Sequence, residues 1–446
     1  MKKLAVLSAG LLLSASMMGN ALADTITMWT MEEQPDRMAR QEKIAAAFNA
    51  ATGHTVKIVP VSEKDIATRA TAAFAAGELP DVLNHTVQHL LPFASAGMLD
   101  TAAADEAVND LGVGSFASGA INMASSDGEI VSVPTDGWTQ LVVYRKDLFD
   151  AAGLAAPESF GDIEAAIAKL HNPPSVYGFV AATKIDETYM MQLIEHISLA
   201  AGYSPVNADG SINEDTSKLK EVLSFYKTIG DASPDGELYW SQSRELYLGG
   251  QAAMIIWSPS LLDELGGLRD SAPVTITDDP TTKELARNTG FVTVFSGPGN
   301  PDGAAYADTR YLGITADANT DVASDFVKFV VSEGYGDWLG MAPEGKFPVR
   351  KGPSAGSNDY QTLWSTLPTG VDRKEPLGNI YPASVIADIV AGLSVGDRWG
   401  VADGQLEKAS QIVNARVMSQ VIRKYIDGDI SLDAAADEIV AKHKAL

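Results

Sequence analysis

The residues best equipped for chemistry stand together in "VPTDGWTQLVVYRKDLFDAAGL", Val133–Leu154. Asp136, Gly137 and Trp138 come just before Leu141–Tyr144, an unbroken apolar run of the kind that forms a strand buried on both faces. A carboxylate accepts hydrogen bonds from hydroxyls or cations, and an indole offers a flat apolar plate. Side by side at the mouth of a strand, they suit a ligand with a hydroxyl rim and apolar C–H faces. The competing reading makes Trp138 a core residue and Asp136 a turn former ahead of Gly137.

Similar polar–aromatic groups recur along the chain. They are "WTMEEQPD" with Trp29, Glu32, Glu33 and Gln34, then "NHT" (Asn84–Thr86), Tyr239-Trp240, "IIWSPS" with Trp257, "DTRY" (Asp308–Tyr311) and "GDRWG" around Arg398. Trp240 and Trp257 fit core packing and ligand stacking alike. Arg310 either pairs with Asp308 or reaches a hydroxyl or anionic group of the ligand, and Arg398 is the second candidate for an anion. A micromolar site needs about 8 kcal/mol. Covering roughly 100–200 Å² of such an apolar C–H face supplies about 2.5–5 kcal/mol, and two or three charge-assisted hydrogen bonds at ~1.5–3 kcal/mol each supply the remainder before ordering costs.

Other chemistries find weaker support. Glu32-Glu33 with Asp136 can be cast as the acid and base of an exported glycosidase or lyase. With 58 Asp and Glu in the chain, however, such pairs arise by chance. No nucleophile elbow, H-E-x-x-H or P-loop pattern occurs, and "SGPGNPDG" lacks the lysine of a phosphate loop. His85 and His89 are four apart but lack an acidic third ligand, so His85 reads as a hydrogen-bonding cleft residue and neither metal nor cofactor is expected.

The elements that must position these residues alternate. Strands are expected at Thr25–Trp29, Thr55–Val61 and Leu79–Leu83, with helices at Arg37–Asn49 and Asp65–Ala76 between them. Such short units argue a parallel sheet with helices on both faces, which gathers ligand at the carboxyl ends of the strands. Further helices are expected at Ser159–His171, Thr188–Ala200, Ser217–Ile229, Ser241–Gly250, Val322–Ser332, Tyr381–Gly392, Glu407–Tyr425 and Leu432–His443. No fixed-period repeat or low-complexity linker divides the chain.

The start reads as a removable Sec-type signal peptide over residues 1–23: Lys2-Lys3, an apolar Leu4–Met18, then Ala21-Leu22-Ala23. The chain has no cysteine, which rules out disulfides, thiolate metal sites and a lipidated anchor. A free periplasmic protein is expected, with secretion into the medium as the alternative. The formal charge of −25 repels phosphate backbones and anionic lipid, so nucleic-acid and membrane-surface binding are not expected.

In their order, "AFNAATGHTVKIVPV", "AAGELPDVL", "VYRKDLFDAAGL", "LYLGGQAAMIIWSPS", "YLGITADANTDVASDFVKFV" and "GKFPVRKG" span nearly the whole mature chain. On these segments the chain resembles the extracellular solute-binding proteins, family 1, the maltose-binding-protein group that serves sugar-importing ABC transporters. The resemblance implies a type II-like α/β fold of two hinged lobes, residues 24–140 plus 311–345 and residues 141–310 plus 346–446. The chain would cross near Leu141–Tyr144, Arg310–Gly313 and Phe347–Arg350. It further implies a monomer that closes over a carbohydrate, delivers it to a membrane permease and performs no catalysis. Glu33, Gln34, Asn84, His85, Asp136, Trp138, Trp240, Trp257, Arg310 and Tyr381 are the candidate ligand-binding residues. Ser260 stands where several relatives carry a stacking aromatic. The same fold also serves amino acids, polyamines or ferric ion, and a polyamine is the alternative solute.

Overall fold

The computed structural model describes residues 23–185 and 188–446. The segment read as a signal peptide lies outside them except for Ala23. The first elements are a strand Thr25–Thr30, a helix Pro35–Thr52, a strand Thr55–Pro60, a helix Ile66–Ala76 and a strand Val82–Thr86. Pro35 opens the first helix, where its missing N–H costs nothing, and Gly53 closes it at φ 84°, donating its N–H to the Asn49 carbonyl. Thr25–Thr30 pairs in parallel with both neighbouring strands.

The 15-residue strand Asn300–Ile314 lies antiparallel beside Val82–Thr86 and takes Val133–Thr139 antiparallel on its other edge. Its earlier half pairs with Phe295–Gly297 and Gly396–Asp397. A second sheet sets Leu141–Arg145 between Met254–Trp257 and Thr289–Val292. Strand alternation there separates two cores. Leu141, Val143 and Ile255 join Ile26, Phe48 and Trp338, whereas Val142, Met254 and Ile256 join Phe160, Leu193 and Ile422.

Three local expectations are corrected. The third strand starts at Val82, not Leu79, because Pro80 has no N–H to give to a ladder. Asp136, Gly137 and Trp138 do not merely precede a strand, nor does Asp136 form a turn: all three lie within the strand Val133–Thr139. The helix expected over Glu407–Tyr425 breaks at Arg416, whose φ is 54°, into Leu406–Ala415 and Val417–Ile426.

Phe347 exchanges both backbone hydrogen bonds with Gly137, and Ala117 donates to the Val349 carbonyl. The segment expected to cross for a third time is therefore attached to the first sheet. Gly137 is needed there, because a Cβ would lie 2.8 Å from the Asp308 carbonyl oxygen and 3.3 Å from Val349. Gly137→Ala is expected to cost about 1–3 kcal/mol through this overpacking; an unchanged urea midpoint would show that the strand can move aside.

Candidate functional site

In an antiparallel pair, residues directly opposite one another share a face. Trp138 lies opposite Asp308, and Asp136 opposite Arg310. Tyr306, two residues before Asp308, has the same orientation. The register thus gathers Asp136, Trp138, Tyr306, Asp308 and Arg310, three of which the sequence reading had singled out.

Arg310 Nη1 donates to Glu63 Oε1 at 3.0 Å. Burial works against its charge, but Asp308 and Glu63 outweigh burial and raise its pKa. Arg398 lies over the Tyr306 ring at 4.5 Å and makes a two-pronged bond to Glu195, Nε to Oε1 at 2.9 Å and Nη2 to Oε2 at 3.1 Å. Burial pushes the Asp308 carboxyl above its usual range, with Arg310 and Arg398 opposing. Trp138 stays half-buried, tilted against Tyr306 with centroids 5.8 Å apart. Among the described residues, Asp308 Oδ1 and Arg398 Nη1 have no hydrogen-bond partner. One is an acceptor and the other a donor, and buried polar atoms left so cost about 1–3 kcal/mol each.

Beside this cluster runs a second chain of charges. Lys346 Nζ is 2.5 Å from Glu32 and 3.2 Å from Asp136, and Arg37 is 2.6 Å from the other Glu32 oxygen. Burial would raise the Glu32 pKa, but Lys346 and Arg37 overcome it and hold it at about 2. Asp136 is 1% exposed and also accepts from Trp338 Nε1 at 2.6 Å and Thr135 Oγ1 at 2.9 Å. Of the pair that opened the sequence reading, Trp138 has an accessible surface, whereas Asp136 is committed to holding Lys346 and Trp338.

Other candidates are placed apart from this face. His85 is fully buried, stacked on Tyr311 at 5.3 Å, with Ser132 on Nε2 and the Thr86 carbonyl on Nδ1. Burial brings its pKa down to about 3, so it is a neutral core histidine, not a cleft residue. The Asn84 side chain is used by the Met31 N–H and the Tyr311 carbonyl, and Tyr381 is buried with its hydroxyl on the Leu262 carbonyl. Glu33 and Gln34 are exposed; Gln34 helps line a cavity of about 550 Å³ with Arg37, Arg269 and Glu344. Trp240 and Trp257 stack on each other at 5.6 Å and 9°. Arg244 lies over Trp240 at 4.6 Å, and Tyr189 meets Trp257 edge-on at 4.5 Å. That arrangement favours the packing side of the earlier alternative, because the Trp240 plate is already engaged.

The sequence reading missed Glu195 and Lys346. An acid inside the apolar helix "TYMMQLIEHISLA" was the available signal for Glu195. Lys346 had none, because its partners are remote in sequence.

A parallel sheet entered by one long antiparallel strand, a separate three-stranded sheet, and a charged face carrying a half-buried indole fit a two-lobed α/β binding protein. Residues 43–365 match the family described as bacterial extracellular solute-binding protein, and the chain belongs to that family. Its members act in the periplasm or outside the cell. The chain is 25% identical over 390 residues, 81% of its length and 86% of the relative's, to Escherichia coli (strain K12) YcjN, whose name carries a provisional assignment as an ABC transporter periplasmic-binding protein. Among solved structures it resembles maltose-bound T. maritima MalE3, with TM-score 0.67, 19% identity and 95% and 99% of the two chains covered. It also resembles the cyclic alpha-maltosyl-1,6-maltose binding protein of Arthrobacter globiformis, with TM-score 0.70, 17% identity and 94% and 98% covered.

Proposed function

We propose that this protein is the unanchored periplasmic solute-binding component of an ABC importer, holding a carbohydrate between its lobes and passing it unaltered to the membrane permease. One observation carries the reading. Half-buried Trp138 shares one strand face with Tyr306, Asp308 and Arg310, tilted against the Tyr306 ring, and Arg398 lies over that same ring. A sugar's C–H face can rest on the Trp138 indole while its hydroxyls meet the charged side chains of the same face. The ligands in the names of the two solved relatives, maltose and a cyclic maltosyl-maltose, support the same class. Binding without turnover fits Glu32 as well, since a carboxyl held at about 2 has no proton to give near neutrality.

The mechanism is a shift from open to closed forms, with contacts from both lobes complete only when closed. The proposed lobes are residues 24–140 with 311–345 and residues 141–310 with 346–446. The backbone bonds of Phe347 and Val349 to Gly137 and Ala117 favour moving the last join past Arg350. The protein acts as a monomer.

Thermal denaturation against a panel of sugars and glycosides tests the reading. A cognate sugar at 100 times its Kd should add about 2.7 kcal/mol of stability, with a fall in radius of gyration by small-angle scattering. Hydrolysis products on prolonged incubation, or stabilisation by spermidine and by no sugar, would overturn it.

A further inference from the structure

We propose that Asp263, Glu264 and Glu344 form a proton-set tie between the two proposed lobes, made while the three carboxyls share a proton and loosened when it leaves. The tie rests on the lobe boundaries proposed above and on no particular ligand. Asp263 and Glu264 stand on the short helix Leu262–Leu265, with side chains 0% and 3% exposed. Arg269 holds Asp263 Oδ2 through Nε at 3.2 Å and Nη2 at 3.0 Å, and it reaches Glu264 at 3.8 Å. Arg244 Nη1 donates to Glu264 Oε1 at 2.8 Å. Arg269 also lies 3.9 Å from Glu344 Oε1, and Thr369 Oγ1 donates to Glu344 Oε2 at 2.7 Å. Glu344 falls in the first proposed lobe, whereas Arg269 and Thr369 fall in the second. Both contacts therefore cross the boundary.

The charges do not balance without the proton. Three carboxylates, Asp263, Glu264 and Glu344, face two guanidiniums, Arg244 and Arg269, and an uncompensated charge is costly where water is excluded. The cations around them are engaged elsewhere: Arg37 with Glu32, Arg40 with Asp337, Arg373 with Asp270, and Lys374 with the Gly370 carbonyl. Asp36, which lines the same cavity as Arg269 and Glu344, is a further acid. Tyr381 and Tyr247 spend their hydroxyls on the Leu262 carbonyl and on Thr289. Among the described residues, Asp263 Oδ1 and Glu264 Oε2 have no hydrogen-bond partner, so either takes a proton without breaking a bond to an arginine. Burial and then Glu344 push the Asp263 carboxyl up to about 6 against Arg269. Burial pushes Glu264 up to about 7, with Arg244 opposing and Asp263 adding. Once the proton is lost, Glu344 meets an unbalanced pair of acids across the boundary and is repelled.

A carboxyl raised to about 7 from 4.5 contributes fully below about pH 4.5, and its contribution is lost as pH rises through 7. Small-angle scattering of the sugar-free protein from pH 5 to pH 8 provides the test. The radius of gyration should rise with pH, most steeply between about 6 and 7. Glu264→Gln fixes one carboxyl in its neutral form and should keep the smaller radius at pH 8. In urea, the same variant should gain at least about 10-fold on the folding constant of the parent between pH 5 and pH 8. Buried histidines that gain protons on unfolding are common to both chains and cancel. A radius that does not change with pH, or an equal rise in Glu264→Gln, would overturn the tie and leave the carbohydrate reading standing. If circular dichroism shows Glu264→Gln unfolded, Glu344→Gln replaces it with the same expected radius, since it keeps an acceptor for Thr369 and removes the repulsion.

Discussion

Glu195→Ala should lower the unfolding free energy by about 3–5 kcal/mol, because it strands a buried guanidinium. Glu195 accepts from Arg398 Nε and Nη2 and, on the same Oε1, from the Trp399 N–H at 2.9 Å. The two side chains are 3% and 5% exposed, so water cannot replace the lost carboxylate. Arg398 would then be left with Asp308 and Asp397 as acids whose charge it feels, and its place over the Tyr306 ring, on the face proposed for the ligand, would be lost. Stability and sugar affinity should therefore fall together. Glu195→Gln, which retains one acceptor for the guanidinium, should recover part of both. Urea denaturation alongside calorimetry would check this, and a loss below about 1 kcal/mol would mean that water reaches Arg398 after all.

Lys346→Met should be comparably damaging, but with a pH signature. The ammonium lies between Glu32 and Asp136, both carboxylates largely withdrawn from water. Glu32 has a folded-state pKa near 2, against 4.5 for the free side chain. Its contribution is fully present above about 4.5 and disappears as pH falls toward 2, and the displacement corresponds to about 3 kcal/mol at neutrality. The gap between variant and parent should therefore be widest near pH 7 and shrink as the medium is acidified toward pH 2. A gap that does not change with pH would point to lost contact with Trp338, over whose ring the Lys346 Nζ lies at 5.3 Å.

Much of the scaffold is legible in the sequence for simple reasons. "TITMW" and "TVKIVPV" are short apolar runs, and the helix between them ends where Gly53 allows a left-handed turn. Val133–Thr139 is harder to see as a strand because Pro134, Asp136 and Gly137 are poor strand formers. Its place is secured by Asn300–Ile314 on one edge and by the backbone bonds from Phe347 to Gly137. The break at Arg416 is invisible for a related reason, since the apolar spacing continues on both sides of it.

The candidate site divides along the same line. Trp138 and Arg310 stand out as residue types suited to a sugar, and strand register brings them together. Asn84, His85 and Tyr381 are the same kind of residue, but their polar atoms are used inside the core, and nothing in their local sequence distinguishes the two uses. Glu195 and Arg398 are 203 residues apart, so their pairing exists only in three dimensions.

The strand Asn300–Ile314 is bonded early in its length to Phe295–Gly297 and at its end to Val82–Thr86. Asp308 and Arg310 lie between these ends, laddered to Trp138 and Asp136 on one side and, at Arg310, to Thr86 on the other. If the proposed lobes swing as we propose, this ribbon must be wrung, and a guest clasped along it would work as a splint, stiffening the joint.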